Sequence, residues 1–129
     1  MIADRELIAL ASQAREQAYA PYSGYAVGAA LLGQSGKVYT GCNVENSSYS
    51  LTICAERSAI VKAVSEGERE FRAIAIVTAN SGMPCGACRQ MLAEFGLGIR
   101  VLVATPGKLV SESTVADLLP GAFGPQDLP

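Results

Sequence analysis

The alternation of apolar and polar positions opens on a helical period. Leu7, Ile8, Ala11, Ala14 and Ala18 recur at mixed three- and four-residue spacing, which predicts an amphipathic helix over residues 4–19. Asp4 is placed to cap it, and Pro21 stops it, because proline disfavours helix in the residue before it. After a Tyr22–Tyr25 loop, Ala26–Leu32 is a short, almost wholly apolar run, the pattern of a buried strand. Gln34–Lys37 is a turn and Val38–Val44 a returning strand, so the pair reads as an antiparallel hairpin. A loop over Ser47–Ile53 feeds a helix from about Cys54 to Glu66, with Ala55, Ala59, Ile60, Ala63 and Val64 on its apolar face and Gly67 as its stop. Phe71–Ala79 reads as a strand, Asn80–Pro84 as a loop, and Cys85–Phe95 as a helix closed by Gly96. Arg100–Thr105 is a strand, and another begins at Lys108–Val110 after the Pro106-Gly107 turn. Ser113 or Thr114 caps a short helix through Leu119, and residues 119–129 read as an irregular tail. The order α-β-β-α-β-α-β-β-α predicts an α/β fold whose sheet is mixed, antiparallel at the hairpin and parallel in the middle.

A chain of 129 residues suits one domain, and no linker or internal repeat divides 1–129. Half the residues are hydrophobic and the mean hydropathy is +0.25, high for so small a globule. Excess apolar surface of this kind points to burial between subunits. No uncharged apolar run reaches the length of a membrane span. Asp4, Arg5 and Glu6 interrupt any signal-peptide core, so a cytoplasmic location is expected. The net charge is −2 and no Lys/Arg cluster occurs, which argues against a nucleic-acid partner. The absence of histidine excludes a His general base and leaves thiolates and carboxylates as metal ligands.

Two stretches carry the reactive side chains: Cys54-Ala55-Glu56-Arg57 and Pro84-Cys85-Gly86-Ala87-Cys88-Arg89. Three cysteines with one open position for water match the ligand count of a catalytic zinc. Cys54 and Cys85 fall at predicted helix starts, where the partial positive charge favours thiolate. Cys88 follows Cys85 by one turn, on the same face. Glu56 is near enough to serve a bound water without being a ligand. Three thiolates and Zn²⁺ sum to about −1, so a donor to sulfur would restore the metal's acidity. Arg57 and Arg89 are the two candidates. Cys42 reads as a small buried side chain; a structural zinc module would need it as a fourth ligand. Asn43 and Glu45, two apart at a strand end, point to one face. An amide and a carboxylate there can bond the vicinal hydroxyls of a sugar, although a solvated strand end has the same spacing.

Cys-x-x-Cys alone is shared by zinc knuckles and redox motifs. The upstream Cys-Ala-Glu and the proline before the pair make it the zinc-deaminase signature. Ala20-Pro21-Tyr22-Ser23, Val27–Leu31, Gly41–Asn46 and Leu118–Phe123 extend the likeness. Over nearly its whole length the sequence resembles the small homotetrameric cytidine deaminases that use three cysteines. The resemblance implies a three-layer α/β/α fold around a five-stranded mixed sheet. It implies one Zn²⁺ per chain on Cys54, Cys85 and Cys88, and hydrolysis of cytidine or deoxycytidine to the uracil nucleoside and ammonia, in pyrimidine salvage. A zinc-activated water would attack C4 while Glu56 shuttles protons. Asn43 and Glu45 would contact the ribose, the Ala55 N–H the base O2, and Ser47, Tyr49 and Tyr25 other parts of the substrate. Arg57 would donate to thiolate sulfur. Phe123 would pack on the pyrimidine of a neighbouring subunit, in a homotetramer with shared sites. Two features depart from the family: Tyr25 stands where Phe is usual, and the Asn80–Pro84 loop is short. A structural zinc module is the main rival and a deaminase for another aminopyrimidine the second; a polynucleotide editor is disfavoured by the acidic pI of about 5.1.

Overall fold

The computed structural model describes residues 1–129. Its elements are α1 (Asp4–Arg15), β1 (Gly28–Gly33), β2 (Val38–Cys42), α2 (Ala55–Ser65), β3 (Phe71–Val77), α3 (Gly86–Phe95), β4 (Arg100–Thr105), β5 (Lys108–Thr114) and α4 (Val115–Leu118). Short 3-10 turns at Tyr49–Leu51 and Pro125–Asp127 complete the set. The five strands lie in the order β2-β1-β3-β4-β5. Only β3 and β4 run parallel, joined across α3; the other three pairings are antiparallel. The mixed five-stranded sheet between helices is therefore as the sequence predicts.

Strand periodicity sorts the core into two layers. On one face Ala30, Leu32, Ala73, Ala75, Val77, Leu102 and Ala104 pack under Leu7, Ile8 and Ala11 of α1. On the other, Ala29, Leu31, Ile74, Ile76, Val101 and Val103 pack against α2 and α3 through Ala59, Ile60, Ala63, Leu92 and Ala93. β1 and β3 are covered on both faces, which is why they read as nearly unbroken apolar runs. β5 is an edge strand with exposed residues along most of its length, so its polar stretch Ser111–Thr114 carries no apolar signal and the strand runs four residues past Val110.

Helix α1 ends at Arg15, short of residue 19. The reason lies across the chain. The Tyr19 N–H donates to the Asn43 carbonyl at 3.0 Å, and the Glu45 N–H donates to the Tyr19 carbonyl at 2.8 Å. This pairing takes the backbone groups that a longer helix would need. Asp4 is not the cap: Ala3 occupies that position, and the Asp4 carboxylate instead pairs with Arg100 at 2.7 Å. Thr114, not Ser113, caps α4, in a reciprocal box with Asp117.

Candidate active site

Two helix starts meet above the α2/α3 face of the sheet. Cys54 is the N-cap of α2 and Cys85 the N-cap of α3, both in extended backbone. Their carbonyls accept the first helical bonds, from Ser58 N and Arg89 N, each at 3.0 Å. Cys88 lies one turn into α3, fully buried. The Cys54 and Cys85 Sγ atoms are 3.8 Å apart, those of Cys85 and Cys88 3.5 Å, and all three lie within 4.8 Å of one another. Tetrahedral zinc with bonds of about 2.3 Å requires sulfurs about 3.8 Å apart, and the two spacings about Cys85 are close to that value. Cys42 stands outside the cluster, at the end of β2, which leaves three sulfur ligands and no closed four-cysteine set.

The electrostatics are those of crowded thiols. The hydrogen bond from Cys88, reinforced by Arg57, draws the Cys54 thiol down to about 5. The same bond, with burial, holds the Cys88 proton and pushes its pKa up. A dication between the sulfurs reverses that preference, because a coordinating thiol is deprotonated outright. Arg57 Nη2 donates to the Thr52 carbonyl at 3.1 Å and lies 3.9 Å from Cys54 Sγ. Its Nε is buried without a protein acceptor. A guanidinium within reach of the Cys54 sulfur suits an anionic metal–thiolate centre. Arg89, the other cation considered for that task, turns away from the sulfurs. Its Nε donates to the Pro84 carbonyl at 2.8 Å and its Nη1 to the Leu118 carbonyl at 2.9 Å.

Beside the cluster is a cavity of about 270 Å³, large enough for a nucleoside-sized ligand. Cys54, Ala55, Glu56 and Cys85 form its metal end, and Tyr25, Asn43 and Glu45 stand among its other lining residues. Glu56 is only 4% exposed, and burial raises its carboxyl pKa. Asn43, 8% exposed, accepts from Val27 N at 2.9 Å and donates to the Tyr25 carbonyl at 2.8 Å. Each of its amide atoms keeps one further hydrogen-bonding position. The Glu45 carboxylate accepts from Tyr22 N at 2.9 Å, Ser23 N at 3.1 Å and the Ser23 hydroxyl. The Ser23 hydroxyl and the two N–H groups hold its pKa low, so it remains charged.

Other sequence-named residues lie apart. Tyr49 is exposed and packs edge-on against Tyr22, lining a neighbouring hollow with Ser23, Glu45 and Thr52. Ser47 is exposed and lines neither space. Phe123 is 58% exposed and absent from its own chain's cavity; Gln90 Nε2 holds its carbonyl at 2.8 Å. Conversely, Thr52, Ile76, Thr78, Gly82 and Met83 line the cavity although residue pattern gave them no functional signal. Only their neighbourhood with the cysteine motifs would have flagged Thr52 and Met83. A larger hollow of about 470 Å³ beside α1 and the β4–β5 turn holds none of the sulfurs.

Comparison with known proteins agrees with this geometry. A family model described as "Cytidine and deoxycytidylate deaminase zinc-binding region" matches residues 1–105. The cytidine deaminase of Sporosarcina psychrophila is 56% identical over 126 residues, covering 95% of this chain and 93% of the relative. That of Halalkalibacterium halodurans is 51% identical over 129 residues, covering 97% and 98%. The crystal structure of the Burkholderia pseudomallei cytidine deaminase superposes with a TM-score of 0.90 at 47% identity, covering 95% of this chain and all of that one. With sequence, fold and a three-sulfur zinc cluster in agreement over almost the full length, the chain belongs to the cytidine deaminase family.

Proposed function

We propose that the protein hydrolyses cytidine, and 2′-deoxycytidine with it, to the corresponding uracil nucleoside and ammonia, as a step of pyrimidine salvage. The observation that carries this reading is the buried Glu56 carboxyl at one end of the 270 Å³ cavity, beside three sulfurs at zinc spacing. Zinc on Cys54, Cys85 and Cys88 would supply a water acidified to near neutral pH. The remaining steps belong to the chain's own residues. Glu56 takes a proton from the water and gives it to the base N3 as the water oxygen adds to C4. It then takes the proton of the new C4 hydroxyl and gives it to the amino group, so that the C4 carbonyl forms as the C4–N bond breaks and ammonia leaves. A buried carboxyl with a raised pKa is suited to holding that proton between the two transfers. The Ala55 N–H, at the start of α2 and free of an intrahelical partner, would donate to the base O2. Asn43 and Glu45 would take the ribose hydroxyls, Tyr25 would pack beside the base, and Ser47 and Tyr49 would bound the outer rim. Arg57 would draw charge from the sulfurs.

The cavity's composition supports a free nucleoside as the substrate. Its lining contains no lysine or arginine, and Glu45 is held anionic. The assay is the fall in cytidine absorbance with purified protein, before and after treatment with a zinc chelator. Turnover lost with the metal and restored by added zinc supports the assignment; a protein that is inactive when fully zinc-loaded overturns it.

The working unit in this reading is a homotetramer of single-domain chains, 1–129, with residues 119–129 as the tail that reaches a neighbour. Phe123 is the motive: a large apolar side chain exposed on its own subunit gains about 1.5–3 kcal/mol when covered. Mixing Phe123→Ala with Glu56→Ala chains under subunit exchange should regenerate some intact sites and restore activity. No recovery after verified exchange would refute sharing. No helix is long and apolar enough to cross a membrane. Four unpaired cysteines suit a reducing, cytoplasmic setting.

A further inference from the structure

We infer that the Tyr25 hydroxyl latches the substrate-facing loop onto the loop that carries Cys85, so that Tyr25, Asn80 and Gly82 act as one positioning unit. The inference rests on the deamination reaction proposed above. Tyr25 OH donates to Asn80 Oδ1 at 2.6 Å. That oxygen also lies 3.4 Å from the Thr78 hydroxyl, which in turn accepts from Gly82 N at 2.9 Å. Ser81, at φ +56°, makes the tight turn that folds residue 82 back toward residue 78. At its other end Tyr25 is tied to the substrate side. Its carbonyl accepts from Asn43 Nδ2 at 2.8 Å, and its N–H donates to the Ser23 hydroxyl at 3.0 Å. The phenol thus spans two loops, and Tyr25, Gly82 and Cys85 all line the cavity.

Residue 82 makes this possible by having no side chain. A Cβ there would fall 2.3 Å from the Tyr25 hydroxyl oxygen but 3.5 Å from the ring Cζ. The hydroxyl therefore occupies the space a methyl would fill. The two departures noted in the sequence, a tyrosine at 25 and a short loop at 80–84, are one feature: the short loop brings Asn80 and Gly82 up to the hydroxyl. Because the latch shapes the cavity wall and touches no reacting atom, its loss affects ground-state and transition-state binding alike.

The test is a double-mutant cycle with Tyr25→Phe, Gly82→Ala and the pair, measured by cytidine kinetics, zinc content and hydrogen exchange of segment 78–84. Tyr25→Phe should raise KM about three- to tenfold, the range of one hydrogen bond, with kcat within about twofold and zinc retained. Exchange across 78–84 should quicken. Gly82→Ala displaces the phenol and should raise KM at least as much. In the pair the new methyl meets the ring edge at ordinary contact, so KM should fall below that of Gly82→Ala alone. Effects that simply multiply, or a Tyr25→Phe enzyme with unchanged KM and exchange, would overturn the latch. Wild-type protein without cytidine turnover would instead defeat the assigned reaction, and exchange of 78–84 would still decide the latch.

Discussion

Replacing Gly41 by alanine tests whether the catalytic helix owes its position to its closest contact with the sheet. Gly41 lies in β2 opposite Ala29, beneath the first turn of α2. A Cβ there would stand 2.7 Å from the Ala55 carbonyl oxygen, 2.7 Å from Ala59 N and 2.9 Å from Ser58 Cβ. Ordinary contact begins near 3.4 Å, so the helix start must lift by about 0.7 Å. The obstacle is helix backbone, which cannot turn aside as a side chain can. Gly41 is not among the left-handed glycines, so its own backbone accepts alanine and the clash acts alone. Overpacking of this kind costs about 1–3 kcal/mol, and reduced unfolded-state entropy returns about 0.4–1. The net loss of about 0.5–2 kcal/mol lowers Tm by about 2–8 °C in a chain of this size. The larger effect is on chemistry. The turn that moves carries Cys54, Ala55 and Glu56, while Cys85 and Cys88 stay on α3. Misplacement of about 1 Å can cost about 10²-fold, so kcat should fall at least about tenfold. Cytidine kinetics, thermal melts and zinc content on the same preparation decide it. Wild-type kcat with wild-type Tm would refute the clash; a lower Tm with wild-type kcat would refute the coupling of β2 to the site.

Three further outcomes are expected. Glu56→Gln should lose about 10²–10⁴-fold in kcat while keeping zinc, measured by turnover and metal analysis, because the amide preserves size and removes the proton carrier. Cytidine 5′-monophosphate should be turned over far more slowly than cytidine in parallel assays, since Glu45 is held charged and no cation lines the cavity. Asp4→Asn should lower stability by about 0.5–1 kcal/mol at pH 7, a surface-pair magnitude for a carboxylate bonded to Arg100. The Arg100 bond holds the Asp4 pKa below 3.8, so its stabilisation is present above that pH and fades as pH falls through the lower folded value. Thermal melts of the two proteins should therefore converge in acid, once the pH lies below the lowered folded pKa of Asp4.

The sequence exposed those features that depend on local chemistry. Cys54 and Cys85 could be placed at helix starts because Ala59, Ile60 and Ala63 give the first helix its apolar face, and Gly96 closes the helix that Cys85 opens. Buried β1 and β3 were visible as apolar runs. Features that depend on meetings between distant segments were not. The end of α1 at Arg15 is set by Tyr19 pairing with Asn43 and Glu45, some 25 residues away, and nothing local to residues 16–18 signals it. Glu45 shows the same limit. Its spacing from Asn43 put both on one face, and both do line the cavity, but its carboxylate is also the anchor for Tyr22 and Ser23. Thr78 is a polar residue at the end of an apolar strand until the turn at Ser81 brings Gly82 back to its hydroxyl.

Helix α3 links these observations. Cys88 supplies a sulfur to the metal cluster, and the next two side chains hold the segments on either side of the helix. Arg89 fixes Pro84, immediately before Cys85, and also Leu118 at the end of α4. Gln90 fixes the carbonyl of Phe123. The loop that aims one metal ligand and the tail that displays the exposed phenylalanine are therefore referenced to one turn of one helix. In the shared-site assembly proposed above, the first of these serves the chain's own site and the second serves its neighbour's. Any shift of α3 would then be felt at two sites at once. Truncating Arg89 would remove two backbone anchors, at Pro84 and at Leu118, while leaving all three cysteines in place.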